Sequence, residues 1–378
     1  MKKFIIFLIT FSLLSFYLLS IPAFARKYKF SCMVCHAPFP HLKDFGEEFA
    51  ANGYTLPEKE PRRAFRDTGD KLLLLQRQLP VALRIDVYGS YEANKEVNNE
   101  FKAPFVMKIL SGGNIYKNIS YYAYFLFTEE GKIEGLEDAY IAFSNLFGAP
   151  VSIIFGQYRV SDPLKPSELR LTFKNYIAYK FRVGLSDIRL SYDRGIMVSY
   201  STGFGTDLSF QIVNGNGIHT PEFFDKDKYK SFAFRLFQSL KNAGFGVFLY
   251  YGKEASEYEN TVTYLGPDFS FKTSKFELFI QYLRRSDSNP LFLPEAPNEV
   301  FSNAWLAEIL YKPRGDSGRT FLTLLYNRIN SDFPGIDYQT ITFNFTYLIA
   351  RNFKWIAEYT HDVEGKHHRL LSGFISAF

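Results

Sequence analysis

From about residue 80 to its end, the 378-residue sequence consists of blocks of roughly ten residues in which apolar and polar side chains alternate. One block carries Ile341, Phe343 and Phe345 on one parity, with Thr342 and Asn344 between them. Because successive side chains of a β-strand point to opposite faces, each block predicts a strand with one apolar and one polar face. The pattern therefore predicts an all-β fold.

Sixteen such blocks follow one another along the chain. The predicted strands cover residues 80–93, 101–111, 118–128, 136–147, 151–160, 193–202, 206–215, 230–240, 244–253, 260–271, 275–285, 302–313, 320–330, 338–348, 353–361 and 368–378. Short connections alternate with long ones, and the long ones are 161–192, 216–229 and 286–301. An even strand number with alternating periplasmic turns and outer loops is typical of a transmembrane antiparallel β-barrel.

Composition favours the membrane over water as the surroundings of this sheet. The chain has 41 Phe and 26 Tyr, an aromatic share of 18%. Aromatic-rich strands are typical of membrane barrels, although alternation also describes soluble sandwiches and barrels, which stay open as alternatives. The formal charge falls from +5 to +3 when Lys2 and Lys3 are removed. This balance does not indicate a nucleic-acid partner, and we expect outer-membrane lipid as the main contact.

The first 25 residues have the features of an export signal. Lys2 and Lys3 precede an apolar run over residues 4–19, and Ala23-Phe24-Ala25 forms a cleavage site, so the mature chain should begin at Arg26. An uncleaved membrane anchor is the alternative.

A terminal Phe378 resembles the assembly signal of Gram-negative outer-membrane proteins. We therefore expect localisation in the outer membrane of a Gram-negative bacterium.

The sequence CMVCH at residues 32–36 predicts a covalent c-type haem site. Cys32 and Cys35 can each form a thioether with a haem vinyl group, and His36 can then ligate the iron as the proximal ligand. A redox dithiol would usually come with a thioredoxin-like βαβ pattern, and a closed zinc site would need further Cys or His nearby. Neither is present, so we expect one covalent haem c. The chain has no other cysteine from which to build a disulfide framework.

The residues after the motif predict a short helix within 38–51, with Leu42, Phe45 and Phe49 on one face to cover the porphyrin. A segment of this length cannot bury a haem alone. We therefore predict that it plugs the barrel lumen or lies on its periplasmic side. The predicted organisation is a signal peptide at 1–25, a monohaem cytochrome c segment at 26–56, a linker at 57–79 and the barrel at 80–378.

The distal axial ligand cannot be assigned from the sequence. Met33 and His41 are too close to His36 along the chain to reach the opposite haem face easily. The other candidates are Met107, Met197, His219 and three histidines that flank the last outer loop, His361, His367 and His368. The three histidines could also bind a metal. A five-coordinate or water-ligated iron is equally open.

Residues 30–54, FSCMVCHAPFPHLKDFGEEFAANGY, resemble the N-terminal signature of the fused monohaem cytochrome c-porins of the bacterial outer membrane. That family pairs CxxCH with a following FP, FG and NGY, found here at 39–40, 45–46 and 52–54. Its relatives include outer-membrane Fe(II)-oxidising cytochromes. The resemblance implies Cys32, Cys35 and His36 as the haem-binding residues. It implies electron transfer through a haem held by a barrel, with Fe(II) as one candidate donor.

The main functional hypothesis is an electron carrier. Electrons would pass between an extracellular donor or acceptor and a periplasmic carrier, such as a soluble cytochrome c, through a centrally held haem. Predicted outer-loop carboxylates could attract iron cations, namely Glu129, Glu130, Glu134, Glu137 and Asp138. Activity as an Fe(II) oxidase is undecided, and no catalytic residue is assigned.

The alternative function is a porin for small solutes in which the haem segment is a plug or sensor. Mixed charges on the polar face, Arg84 with Asp86 and Lys354 with Glu358, indicate a wet lumen. A haem enzyme such as a peroxidase would need acid and base groups near an open distal site, and the sequence shows no such constellation.

Overall fold

In the computed structural model, the chain forms a closed barrel of sixteen antiparallel strands. The structure describes residues 23–56, 59, 69–70, 72–73, 79–93, 98–133, 135–218, 224–295 and 299–378. Most of the predicted signal peptide and most of the predicted linker lie outside these residues. Within the described residues, no helix is long and apolar enough to cross a membrane.

Every predicted strand is present, and each pairs with its neighbours in sequence, while β1 closes the barrel against β16. The strands are β1 (Val81–Glu92), β2 (Asn99–Tyr116), β3 (Ile119–Glu129), β4 (Gly135–Phe143), β5 (Val151–Arg159), β6 (Tyr192–Ser201), β7 (Thr206–Val213), β8 (Ser231–Leu240), β9 (Ala243–Ala255), β10 (Glu259–Lys272), β11 (Phe276–Asp287), β12 (Val300–Tyr311), β13 (Thr320–Ser331), β14 (Tyr338–Ala350), β15 (Phe353–Asp362) and β16 (His367–Ala377). The main difference is β2, which runs to Tyr116 rather than to residue 111.

The two faces of the sheet follow the predicted parity. On β14, Ile341 and Phe343 point outward and are 42% and 45% exposed, whereas Thr342 and Asn344 point into the lumen and are 0% exposed. A soluble sheet would turn the apolar face inward. An apolar outer surface around a polar lumen is the arrangement of a membrane barrel, and the prediction of that fold is confirmed.

The connections divide the barrel into two ends. The end with mostly short connections, here the short-connection end, carries 117–118, 144–150, 202–205, 241–242, 273–275, 312–319 and 351–352. The opposite, long-connection end carries 93–98, 130–134, 160–191, 214–230, 256–258, 288–299, 332–337 and 363–366. The three predicted long connections lie at the long-connection end, but the other five connections of that end are each shorter than 144–150 and 312–319 at the opposite end.

The longest connection, residues 160–191, is not an outer loop as predicted. It folds back into the barrel, and we call it the lumen segment. Its buried apolar side chains are Val160, Leu164, Leu171, Tyr176, Ala178, Tyr179, Phe181, Val183, Ile188 and Leu190. Since these side chains would be exposed in an outer loop, their burial drives the segment inward. In the sequence, the only indication of this burial was the high content of apolar residues in the loop.

Hydrogen bonds to several strands hold the lumen segment across the barrel. The Tyr176 hydroxyl donates to Glu308 of β12 over 2.6 Å, and the Phe173 amide donates to Glu358 of β15 over 2.6 Å. Near the segment's end, Arg285 of β11 is 0% exposed. Its guanidinium donates to the Ile188 carbonyl and the Ser186 hydroxyl, each over 2.9 Å. The lumen is therefore partly filled rather than an open channel.

Residues 23–56 form a plug at the short-connection end, whereas the main functional hypothesis assumed a central haem. The plug contains α1 (Ala23–Tyr28), a 3₁₀ turn (Cys32–Val34) and α2 (Asp44–Ala51), so the predicted helix within 38–51 begins only at Asp44. Buried Tyr28, Cys35 and Phe49 form its small core. The predicted cleavage point after Ala25 falls inside α1, and whether it is cut stays a prediction.

Several contacts attach the plug to the barrel wall, and three of them show its position. His41 Nε2 lies 2.8 Å from a Glu277 carboxylate oxygen on β11, and Lys354 Nζ of β15 donates to the Phe39 carbonyl over 2.9 Å. The ring of Tyr54 stacks on that of Tyr122 of β3, with 5.0 Å between the centroids. Glu277 and Lys354 are each second in their strands. The plug therefore lies near one end of the lumen, not at its centre.

Candidate functional site

The CMVCH sequence forms a compact turn that brings its two thiols and its imidazole together. The Ser31 hydroxyl accepts a hydrogen bond from the Met33 amide over 3.4 Å, and so caps the turn. The His36 amide donates to the Cys32 carbonyl over 2.9 Å. Both cysteines are free thiols, with Cys35 buried and Cys32 half-buried. All three side chains line one cavity, as a shared haem-binding role requires.

The ring of His36 is oriented as a metal-binding histidine usually is. Its Nδ1 lies 3.1 Å from the Pro40 carbonyl oxygen and 3.3 Å from that of His41. Since carbonyls only accept, Nδ1 carries the proton, and Nε2 is left with its lone pair for a metal. Burial lowers the pKa of His36 to about 4, which keeps the imidazole neutral at pH 7. Neutral imidazole is the form that binds iron.

The Phe45-Gly46 and Asn52-Gly53-Tyr54 sequences have structural roles beside this turn. A side-chain carbon at Gly46 would overlap the carbonyl oxygen of Cys35, so only glycine lets α2 approach the thiols this closely. Gly53 has φ +66°, and a side chain there would overlap Ser120 of β3. It ends α2 and directs Tyr54 against the barrel wall. Both glycines therefore position the plug.

We expect Gly46→Ala to reduce haem attachment, because the added methyl group would push α2 away from Cys35. Overpacking of this kind typically costs about 1–3 kcal/mol. The measurement is covalent haem per polypeptide, from pyridine haemochrome absorbance. Gly203→Ala is the matched control, since an added carbon there meets nothing within 4 Å. Equal haem content in the two variants would contradict this role for Gly46.

The cavity beside the thiols has a volume of about 200 Å³. The plug contributes a mostly apolar wall, and β1, β2, β3 and the lumen segment contribute the other. The plug residues include Phe30, Cys32, Cys35, His36, Phe39, Leu42 and Phe49, and the opposite wall includes Ala82, Arg84, Lys108, Leu110, Tyr122, Tyr124, Glu168 and Leu169. An apolar enclosure with a few polar groups is the usual surrounding of a cofactor.

Cations predominate among the charged side chains of this cavity. Arg84, Lys108 and Arg351 line it together with one carboxylate, Glu168. Burial would raise the pKa of Glu168, but Lys108 and other nearby cations hold it well below the usual range. A cationic lining fits the two negative propionates of a haem. Sequence reasoning missed Lys108 and Glu168, although Lys108 lies on the polar parity of β2.

The structure places the candidates for the sixth ligand away from this cavity. His41 is bound to Glu277, and Met107 pairs with outward-facing Ile85. Met197 lies in the core around the lumen segment. His361, His367 and His368 lie at the long-connection end, as predicted, where the rings of His361 and His368 stack at 4.6 Å. His219 is outside the described residues. None of the described methionines, and no second histidine, lines the cavity.

A wider cavity of about 910 Å³ adjoins the first. Tyr54, Tyr122 and Glu168 line both. The wide cavity extends to residues of the short connections, including Lys241, Thr273 and Asp316. The lumen is therefore accessible from the short-connection end.

One prediction about charged residues is wrong. Glu137 and Asp138 belong to β4 rather than to an outer loop, and Asp138 lines the wide cavity. The predicted mixed charges do lie on the lumen side, where Arg84 and Asp86 form an ion pair over 2.7 Å. Lys354 and Glu358 are also buried there, and Lys354 donates to the Phe39 carbonyl. Glu134 is outside the described residues. Among those described, no three His, Cys, Asp or Glu side chains are grouped to hold a metal ion.

The barrel is similar to solved outer-membrane porins. An anion-selective porin from Comamonas acidovorans has 8% sequence identity and a TM-score of 0.60, with 80% of this chain and 99% of that chain covered. A loop-deletion mutant of OmpT from Vibrio cholerae has 11% identity and a TM-score of 0.57, with 80% and 99% covered. OprB of Pseudomonas putida has 12% identity and a TM-score of 0.55, with 80% and 94% covered. At these identities the likeness shows a porin-type fold alone.

No protein-family model matches the chain, and no curated protein matches it.

Proposed function

We propose that this chain is an electron-transfer protein of the Gram-negative outer membrane with one covalent haem c in its plug. The observation that carries the proposal is the joint placement of Cys32, Cys35 and His36 on one cavity inside a membrane barrel. The free Nε2 of His36 supports it independently, because its orientation depends on backbone carbonyls and not on the spacing of the motif. The resemblance of residues 30–54 to cytochrome c-porins agrees with both.

Each residue has a specific role in this proposal. Cys32 and Cys35 would hold the haem through thioethers, and His36 would bind the iron. Arg351 would neutralise a propionate, while Phe39 and Phe49 would exclude water from the ring. The haem, when bound, supplies the one-electron chemistry, and the protein supplies position and electrostatics.

Removal of the predicted signal peptide would complete the space for the cofactor. The cavity of about 200 Å³ is smaller than a haem, and Ala23, Phe24 and Ala25 are part of its lining. Phe24 stacks on Tyr54 with 4.9 Å between the ring centroids. Cleavage after Ala25 would take these three residues away and widen the cavity on that side.

The position of the plug indicates where electrons enter or leave. A tilted strand of about 12 residues spans about 30 Å along the barrel axis. Because the plug lies near the short-connection end, the gap to the other end is on the order of 20 Å and not the 10 Å expected for a central haem. The side facing the short connections is the periplasmic one in barrels of this class. Electron exchange with a periplasmic carrier therefore covers the shorter distance. An external donor such as Fe(II) would have to approach the haem through the lumen.

Passage of small solutes is the second candidate function. It is favoured by the wide cavity, whose lining is rich in charged side chains, and by the porin-type fold. The lumen segment narrows the route but leaves this cavity in contact with the short-connection end. The haem-bearing plug would then regulate or sense passage.

Proteoliposomes distinguish the two functions. Purified, haem-loaded protein would be reconstituted around an enclosed ferric cytochrome c, with dithionite or Fe(II) added outside. We expect the enclosed acceptor to be reduced faster than in protein-free vesicles, with little efflux of entrapped sugar. Sugar efflux would support the porin, because a pore that passes sugar also admits the smaller reductant. Reduction of the acceptor that occurs only together with such efflux would overturn electron transfer.

A further inference from the structure

Among the residues that the structure describes, no methionine and no second histidine lines the cavity beside His36. The chain contains four methionines and six histidines. Methionine and histidine are the usual axial partners of a proximal histidine in cytochromes c. Met1 and His219 lie outside the described residues. Ile218 and Phe224, which flank residues 219–223, belong to a connection at the end of the barrel opposite the plug.

The described candidates are held elsewhere by other contacts. Glu277 binds the Nε2 of His41, and Met107 shares the outer face of β1 and β2 with Ile85. Met197 packs in the core around the lumen segment. With the proximal ligand on the plug, the other side of a haem in this cavity faces the barrel wall.

That wall presents a polar group of three side chains. Lys108 and Tyr124 are 7% and 3% exposed and hydrogen-bonded to each other. Both also donate to Glu168 Oε2, over 2.9 Å from Lys108 Nζ and 3.0 Å from the Tyr124 hydroxyl. All three line the haem cavity. An ammonium has three N–H donors, so Lys108 has one left for a molecule that binds in the cavity, whereas the single O–H of Tyr124 is donated to Glu168.

We propose that the sixth coordination position is open to a small exogenous ligand, and that Lys108 donates a hydrogen bond to it. Two of the three ammonium protons are held by Tyr124 and Glu168, and the third is left for the ligand. This inference rests on the proposed attachment of haem at Cys32 and Cys35. The ammonium group of Lys108 favours a small anion, for which cyanide is a suitable test ligand. Tyr124 orients the ammonium group, and Arg351 remains for the propionates.

The experiment uses the full-length, haem-loaded protein in detergent, with cyanide titrated against the oxidised form. We expect a high-spin optical spectrum that cyanide converts to low-spin. Lys108→Gln should weaken cyanide binding about tenfold, because a charge-assisted hydrogen bond is lost. Tyr124→Phe should weaken it by a smaller factor. Lys102→Gln is the matched control, since Lys102 lies on the same strand, outside the cavity, and pairs with Glu100.

The outcomes separate this inference from the proposed function. A polypeptide without covalent haem would contradict both the open sixth position and the proposed electron-transfer function. A haem that is low-spin before any addition and does not bind cyanide would overturn the open position while leaving electron transfer intact. A low-spin spectrum that Lys108→Gln makes high-spin would also overturn it, because Lys108 would then be the ligand itself. If Lys108→Gln fails to fold, the cyanide affinity of Tyr124→Phe tests the inference, and an unchanged affinity would overturn it.

Discussion

Replacing both cysteines, as Cys32→Ser with Cys35→Ser, should abolish covalent haem entirely while leaving the barrel assembled. Hydroxyl groups do not form thioethers with vinyl groups, and the sixteen-stranded sheet makes its pairings without the motif. We expect loss of the Soret band after denaturing electrophoresis and loss of electron transfer into proteoliposomes. The measurement is haem-specific peroxidase staining of the denatured polypeptide.

Met33→Leu is the matched control for the double cysteine variant. Met33 lies between the two thiols, does not line the cavity and is replaced by a side chain of similar volume. It should keep full haem content. Equal staining of the double cysteine variant and the wild type would show that the haem, if present, is attached elsewhere.

Arg285→Ala should produce the largest loss of stability among single changes in the lumen. Arg285 is fully buried and forms two hydrogen bonds to Asp287, over 2.6 and 2.7 Å. It also donates to the Tyr264 hydroxyl over 2.7 Å and to the lumen segment. Removing one partner of a buried ion pair costs about 3–5 kcal/mol. We expect this decrease in the free energy of unfolding in guanidinium, and a larger single-channel conductance because the segment is released.

Arg284→Ala controls for the loss of a cation beside the same site. Arg284 is the preceding residue on β11 but points outward, where its guanidinium lies 4.4 Å from the ring centroid of Phe301. It should change the free energy of unfolding by less than about 1 kcal/mol and leave the conductance unaltered. An unchanged conductance in Arg285→Ala would mean that the lumen segment does not limit passage.

Strand positions were predictable because each strand of a membrane barrel alternates apolar residues that face lipid with polar residues that face the lumen. On β14, residues 341 and 343 had to be apolar to face lipid, so their parity fixed the faces before any contact was known. The lumen segment was harder, since no period distinguishes a loop that turns inward from one that extends outward. Its apolar residues, such as Tyr176 and Val183, were the only sign.

The CMVCH motif was also visible in the sequence, because the covalent haem attachment proposed for it needs its residues at a fixed local spacing. The surroundings of the motif were not visible. Lys108 of β2 and Glu168 of the lumen segment are 60 residues apart and meet only in the folded lumen. Lys354 illustrates the same limit, since its partner is a backbone carbonyl 315 residues away.

By itself, the sequence determined the sixteen strands and their two faces, and it singled out the residues proposed to hold a haem, because alternation and motif spacing are local properties of the chain. Only the tertiary structure decided that the plug sits at one end of the lumen, that residues 160–191 fill the barrel, and that Lys108, Tyr124 and Glu168 lie on the cavity beside the thiols. These facts depend on contacts between distant residues, which form only once the sheet has closed.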